Sequence, residues 1–222
     1  MTLSRRDLEQ NRMRAVYVEA LEEGVALTDE QLSASLVETL AVKPKNAGWW
    51  VFGYGSLLWN PLFPVVEARP ALLRGLHRRF CLYSLATRGR PDAPGLVLAL
   101  DRGGGCRGVA YRLPGPLALD ELRLLWRREM VTGAYSPRWL HLDCSGHSVT
   151  AIGFVVRRHH RQYAGKLGLE AEARIIATAS GAFGSSADYL ERTRVALVTH
   201  GVIDPYLEAL AARVAAARSP TR

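Results

Sequence analysis

Trp49-Trp50-Val51-Phe52-Gly53-Tyr54-Gly55-Ser56-Leu57-Leu58 is the stretch that decides how the rest of the 222-residue chain is read. Its large apolar residues, Trp49 to Phe52, suit a strand buried on both faces and are too few for a helix that ends at Gly53. Glycines on either side of Tyr54 let the backbone reach φ > 0 and bring bare N–H groups close to a ligand before Ser56 and Leu57 resume. A strand running into such a loop can form an anion or oxyanion cradle. The plainer alternative is a strand-to-turn exit with Tyr54 packed in the core.

With 48% apolar residues, the chain can bury one substantial core, as one domain or one domain with an appendage. No apolar run is long enough to span a bilayer, and Met1 to Asp7 lacks the apolar core of a secretory signal. A cytoplasmic protein without a membrane partner is therefore expected. Cys81, Cys106 and Cys144 are odd in number and widely spaced, which suits reduced thiols. The formal charge of +8 is spread over dispersed basic residues, with the aromatics in apolar strand contexts. Nucleic acid is thus not an expected partner, and the charge fits attraction for small anions.

Residues 4–24 show a helical period ending at Gly24. Thr28-Asp29-Glu30-Gln31 then forms a capping box before Leu32, Leu36 and Leu40, with Pro44 forbidding continuation. From Ala71 to Ser84 the pattern predicts a pair of strands around a basic centre, Arg74 to Arg79, followed by a loop to Gly95. Leu96–Leu100 and Arg107–Leu113 read as strands joined by a hairpin turn at Asp101-Arg102-Gly103-Gly104-Gly105. Gly103, Gly105 and Gly108 satisfy G-x-G-x-x-G, yet a strand rather than a helix follows, so a dinucleotide site is rejected.

Leu117 to Val131 predicts a helix whose apolar face holds Leu122, Leu125 and Trp126, with Glu129 at its middle and Arg127 and Arg128 pointing elsewhere. A carboxylate centred on an apolar stripe is costly to keep ionised unless paired, so it is either structural by ion pair or functional. Tyr135–Asp143 and Ser148–Arg157 form a hairpin around Ser145-Gly146-His147. His141, Cys144 and His147 lack a fourth ligand and carry no metal assignment. Helices complete the chain over 169–182, 187–199 and 205–217, the last capped by Asp204. Strands dominate 49–157 and helices collect at both ends, an α+β arrangement.

Val51-Phe52-Gly53-Tyr54-Gly55-Ser56-Leu57 resembles the signature loop of the γ-glutamylcyclotransferases, specifically the ChaC family that acts on glutathione. Arg88-Gly89-Arg90-Pro91, Arg107-Gly108-Val109-Ala110-Tyr111, Trp126-Arg127-Arg128-Glu129-Met130, Gly133-Ala134-Tyr135, Gln162-Tyr163-Ala164-Gly165 and Asp188-Tyr189-Leu190 follow in the family's order, so the likeness covers roughly residues 49–210. Thr87 departs from it where many relatives carry a histidine. The resemblance implies a mixed β-barrel with packed helices over 49–218, preceded by an N-terminal helical extension, 1–48. It implies glutathione as substrate, Glu129 as catalytic acid/base, Val51 to Leu57 and Tyr135 as substrate-binding residues, and no cofactor. Two rivals stand beside it: a Ser56 hydrolase, weakened because Tyr54 and Leu58 occupy the positions where a nucleophile elbow needs glycine, and a non-enzymatic regulator of cation transport.

Overall fold

The computed structural model describes residues 2–21 and 24–219. Five strands close into a barrel: β1 (Trp50–Gly53), β2 (Glu67–Ser84), β3 (Gly95–Arg112), β4 (Tyr135–Cys144) and β5 (His147–Val156), in the order β1-β3-β2-β4-β5. β1 pairs antiparallel with β3 and parallel with β5 through Val51 and Ile152, so the barrel is mixed. Val51 and Phe52 are fully buried, as a strand with neighbours on both edges and apolar packing on both faces requires.

The region from 71 to 113 departs from expectation. β2 is one strand of 18 residues instead of two, and β3 matches it along its length. Their connection is the loop 85–94. Gly103 and Gly104 adopt φ of +100° and +64° opposite Gly75, where the register shifts, so the glycines form a bulge inside a continuous ladder and not a turn. A strand does follow them, as the rejection of a dinucleotide site required. The β4–β5 hairpin turns at Ser145-Gly146, both at positive φ. Along β4, His141 is exposed and Cys144 buried, which puts them on opposite faces.

α4 (Ala118–Glu129) packs Leu122, Leu125 and Trp126 against the barrel, with the Trp126 ring 5.5 Å from Phe154. Ahead of the barrel lie α1 (Arg5–Glu9), α2 (Arg12–Ala20) and α3 (Asp29–Ala41). The helix expected over 4–24 is thus two helices, divided at Asn11 with φ 56°; residues 22 and 23 lie outside the described residues. The capping box at Thr28 and Gln31 is formed as read. α5 (Leu169–Thr178) stops four residues short of expectation because the chain pairs briefly as β6 (Ser180–Gly181) and β7 (Gly184–Ser185) before α6 (Ser186–Thr199) and α7 (Pro205–Arg218). Asp204 caps α7 by accepting from the N–H groups of Tyr206 and Leu207.

Two apolar clusters result. One fills the barrel and reaches α4 to α7; the other gathers Leu8, Met13, Tyr17, Ala26, Ala86, Val131 and Phe183 under the N-terminal helices. Among the described residues, no helix is long and apolar enough to cross a membrane.

Candidate active site

A cavity of about 120 Å³ opens between these two clusters. On the barrel side it is walled by Tyr54, Gly55, Ser56, Leu57, Tyr135 and Tyr189; Glu129 and Arg128 enter from the end of α4. Of the residues expected to bind substrate, Tyr54 to Leu57 and Tyr135 therefore line one cavity with Glu129. Val51, Phe52 and Gly53 do not: they are buried in β1 and hold the loop in place from behind.

The glycines of the loop serve a different end from the one expected. Neither Gly53 nor Gly55 has positive φ; Gly55 sits at φ −134°. What each needs is space. A Cβ at Gly55 would lie 2.7 Å from the Tyr189 hydroxyl oxygen, and one at Gly53 would lie 2.7 Å from the Tyr111 ring. After Gly55 the chain makes a 3₁₀ turn, Ser56–Leu58, closed by Leu58 N–H donating to the Gly55 carbonyl. The N–H groups at the start of that turn have no partner within it.

Glu129 is the last residue of α4, and its side chain is 14% exposed. Burial raises its pKa above the ordinary 4.5, with Arg128 opposing the rise. Arg128 was expected to point away from the apolar face. It is instead buried: Nε lies 3.0 Å from Glu129 Oε1, Nη2 donates to Ser56 Oγ at 2.8 Å, and Nη1 donates to the Asn60 carbonyl. One guanidinium thus ties the carboxylate to the glycine loop, a fork geometry open only to arginine.

Burial holds the hydroxyls of Tyr54, Tyr135 and Tyr189 protonated, and the Glu129 charge adds to this at each; Tyr189 is pushed up to about 12. Tyr54 donates to the Phe154 carbonyl at 2.7 Å and Tyr135 to the Leu98 carbonyl at 3.0 Å, so both are fixed walls. Arg88, 6% exposed, also lines the cavity, its guanidinium 5.6 Å from the Trp59 and Tyr189 rings. Among the described residues Nη1 alone is engaged, by Ser185 O and Asp188 Oδ2 at 3.3 Å each, which leaves the fork with donors for an anion.

Sequence reasoning did not assign Arg88, Arg128, Tyr189 or Tyr17 to the site. The helical wheel held a signal for Arg128: it falls within about 20° of Glu121 at the edge of the apolar stripe, and both are buried. Glu121 is paired bidentately with Arg5 of α1, at 2.8 and 2.9 Å. Among the described residues no cluster of His, Cys, Asp and Glu is arranged to hold a metal ion.

The chain belongs to the ChaC-like protein family, which matches residues 49–217. It is 44% identical to the glutathione-specific gamma-glutamylcyclotransferase of Escherichia coli (strain K12) over 192 residues, 86% of this chain and 83% of that one. To glutathione-specific gamma-glutamylcyclotransferase 1 of Homo sapiens it is 34% identical over 158 residues, 67% of this chain and 71% of the relative. A solved yeast structure, described as a gamma glutamyl cyclotransferase specific to glutathione, shares the fold with a TM-score of 0.70 at 24% identity, covering 78% of this chain and 98% of its own.

Proposed function

We propose that this protein is a glutathione-specific γ-glutamylcyclotransferase that releases 5-oxoproline and Cys-Gly, with residues 49–218 as the catalytic domain and the cytoplasm as its compartment. The observation that carries this reading is Glu129: a carboxylate with its pKa raised by burial, beside the Gly55–Ser56 turn in one cavity. Its relatives' activity supports the same reaction.

The reaction is intramolecular. Glu129 takes a proton from the α-ammonium of the γ-glutamyl group, and the freed nitrogen attacks the γ-carbonyl carbon. The carbonyl oxygen becomes an oxyanion, held by the N–H groups that open the 3₁₀ turn. Collapse breaks the γ-C–N bond as Glu129 returns the proton to the departing amine of Cys-Gly; the ring nitrogen sheds its second proton as the lactam forms, and the released amine takes one up to leave as the ammonium. Because both reactants belong to one molecule, holding the cyclising conformer supplies much of the rate; effective molarities reach roughly 10⁵ to 10⁸ M. Arg88 supplies charge for a substrate carboxylate, while Arg128 keeps Glu129 and the loop in register. No bound metal or organic cofactor is required by these steps.

Incubation of the purified protein with glutathione and detection of 5-oxoproline tests this reading; no product would leave the cation-transport alternative. Two further outcomes are expected. Since the Glu129 pKa is raised and its base form reacts, kcat/KM should fall as pH drops through a midpoint above 4.5. A pH–rate profile whose acid limb lies at or below 4.5 would remove Glu129 as the base. Exhaustive EDTA treatment should leave turnover intact; activity lost and then restored by zinc would show that a metal takes part.

A further inference from the structure

The wall of the cavity opposite the barrel is built partly by the N-terminal segment, through Leu3, Met13 and Tyr17, although the family match begins at residue 49. That segment is fastened rather than loosely draped. Arg5 forks onto Glu121, Asn60 Nδ2 donates to the Leu3 carbonyl at 2.9 Å, and the Leu27 N–H donates to the Val131 carbonyl at 2.7 Å. About a fifth of this chain has no counterpart in the yeast structure, whereas nearly all of that chain is matched.

Two polar groups lining the cavity, one on the N-terminal segment and one bonded to the end of β2, have hydrogen-bonding capacity left for a ligand. Gln162 is 2% exposed and lines the cavity, and its Nε2 donates to the Tyr83 carbonyl at 2.9 Å. A carbonyl partner fixes which end of the amide is nitrogen, so Oε1 is the other atom, and it is buried with no hydrogen-bond partner among the described residues. A buried acceptor without a partner is uncommon and costly unless a ligand satisfies it. The second group is the Tyr17 hydroxyl. Tyr54 and Tyr135 spend their protons on backbone carbonyls, but Tyr17 lies beside the Ser84 and Thr87 hydroxyls, themselves 2.8 Å apart, which can accept or donate by rotation.

An unmet acceptor and an O–H whose hydroxyl neighbours can donate to it, leaving its own proton for a ligand, together match one peptide group, which brings one N–H and one C=O. Glu129 and the Gly55–Ser56 turn take up the γ-glutamyl end in the reading above, which leaves Tyr17 and Gln162 as cavity groups for the rest of the substrate. We propose that Tyr17 and Gln162 form a leaving-group subsite that binds the Cys–Gly peptide bond, making the N-terminal segment a determinant of specificity for the tripeptide. Gln162 Oε1 accepts the glycyl N–H, and Tyr17 donates to the cysteinyl carbonyl. This rests on the cyclotransferase reading above.

The test compares glutathione with γ-glutamylcysteamine, which has the same reacting centre and thiol but neither the cysteinyl carbonyl nor the glycyl peptide N–H. The wild type should favour glutathione. Tyr17→Phe and Gln162→Met should each lower the ratio of kcat/KM values about 3- to 10-fold, the size expected for one hydrogen bond. The change should appear in KM for glutathione, with γ-glutamylcysteamine turnover kept. If Gln162→Met fails to fold, because Tyr83 loses its donor, Tyr17→Phe decides alone. An unchanged ratio, or equal losses on both substrates, overturns the subsite and leaves the cyclotransferase reading standing, as does a wild type indifferent between the two. A wild type that cleaves neither removes both.

Discussion

Glu129→Gln is expected to lower kcat for glutathione by about 10²- to 10⁴-fold, the usual contribution of a positioned acid/base, while the far-ultraviolet circular dichroism stays that of the wild type. Glutamine keeps the shape and can still accept from Arg128, whose Nε lies 3.0 Å from the carboxylate. It cannot take a proton from the α-ammonium or return one to the leaving amine. The substitution also leaves Arg128 as a buried cation with only carbonyl and hydroxyl partners, so a lower Tm should accompany the loss. KM should change little, because Arg88 and the glycine turn are untouched. A folded Glu129→Gln protein with near wild-type turnover would make the residue a structural partner of Arg128, the reading that pattern alone leaves open for a carboxylate on an apolar stripe.

The elements legible in the sequence were those whose signals are local. The apolar run before Gly53, the Thr28–Gln31 box, the turn at Ser145-Gly146 and Asp204 ahead of Pro205 each specify a short piece of backbone by their own chemistry, and each formed there. The continuity of β2 and β3 was not legible, because a glycine cluster has the same composition whether it makes a turn or a bulge. The decision lies in the partner strand, where Gly75 sits opposite. The two glycines of the signature loop carried a similar ambiguity. Glycine answers a need for left-handed backbone or for room, and here Tyr189 and Tyr111, distant in sequence, make it room.

The site was legible in part for a related reason. A helical wheel reports that a face is buried but not what covers it, so the N-terminal helices read as an appendage although Met13 and Tyr17 wall the cavity. Arg128 shows the same limit at the scale of one side chain. Its direction from the axis is at the stripe's edge, and its length carries the guanidinium back to Glu129 and Ser56 at the helix end.

Gly55→Val should cost more than Ser56→Ala, and the order separates two mechanisms. A Cβ at residue 55 would stand 2.7 Å from the Tyr189 hydroxyl oxygen and 3.6 Å from Leu98 Cβ. That hydroxyl cannot simply swing aside: the Tyr189 ring packs edge-on to Trp59 and Phe80, with centroids 6.0 and 5.9 Å away. The loop must therefore move, and the two methyls of valine occupy space intended for substrate. A displacement near 1 Å at a reacting centre can cost about 10²-fold, so kcat/KM should fall by at least that. Ser56→Ala removes the acceptor of the 2.8 Å bond from Arg128 Nη2. Such a bond to a charged group is worth about 1.5 to 3 kcal/mol, an upper limit here because Arg128 keeps Glu129 and Asn60. The loss should stay within about 10- to 100-fold, with measurable turnover remaining. If Ser56 were a nucleophile, its removal would abolish turnover, and the wild type would show a burst of acyl-enzyme. Measuring kcat/KM for both variants, with folding checked, decides the matter: a dead Ser56→Ala beside an active Gly55→Val would sink the intramolecular mechanism.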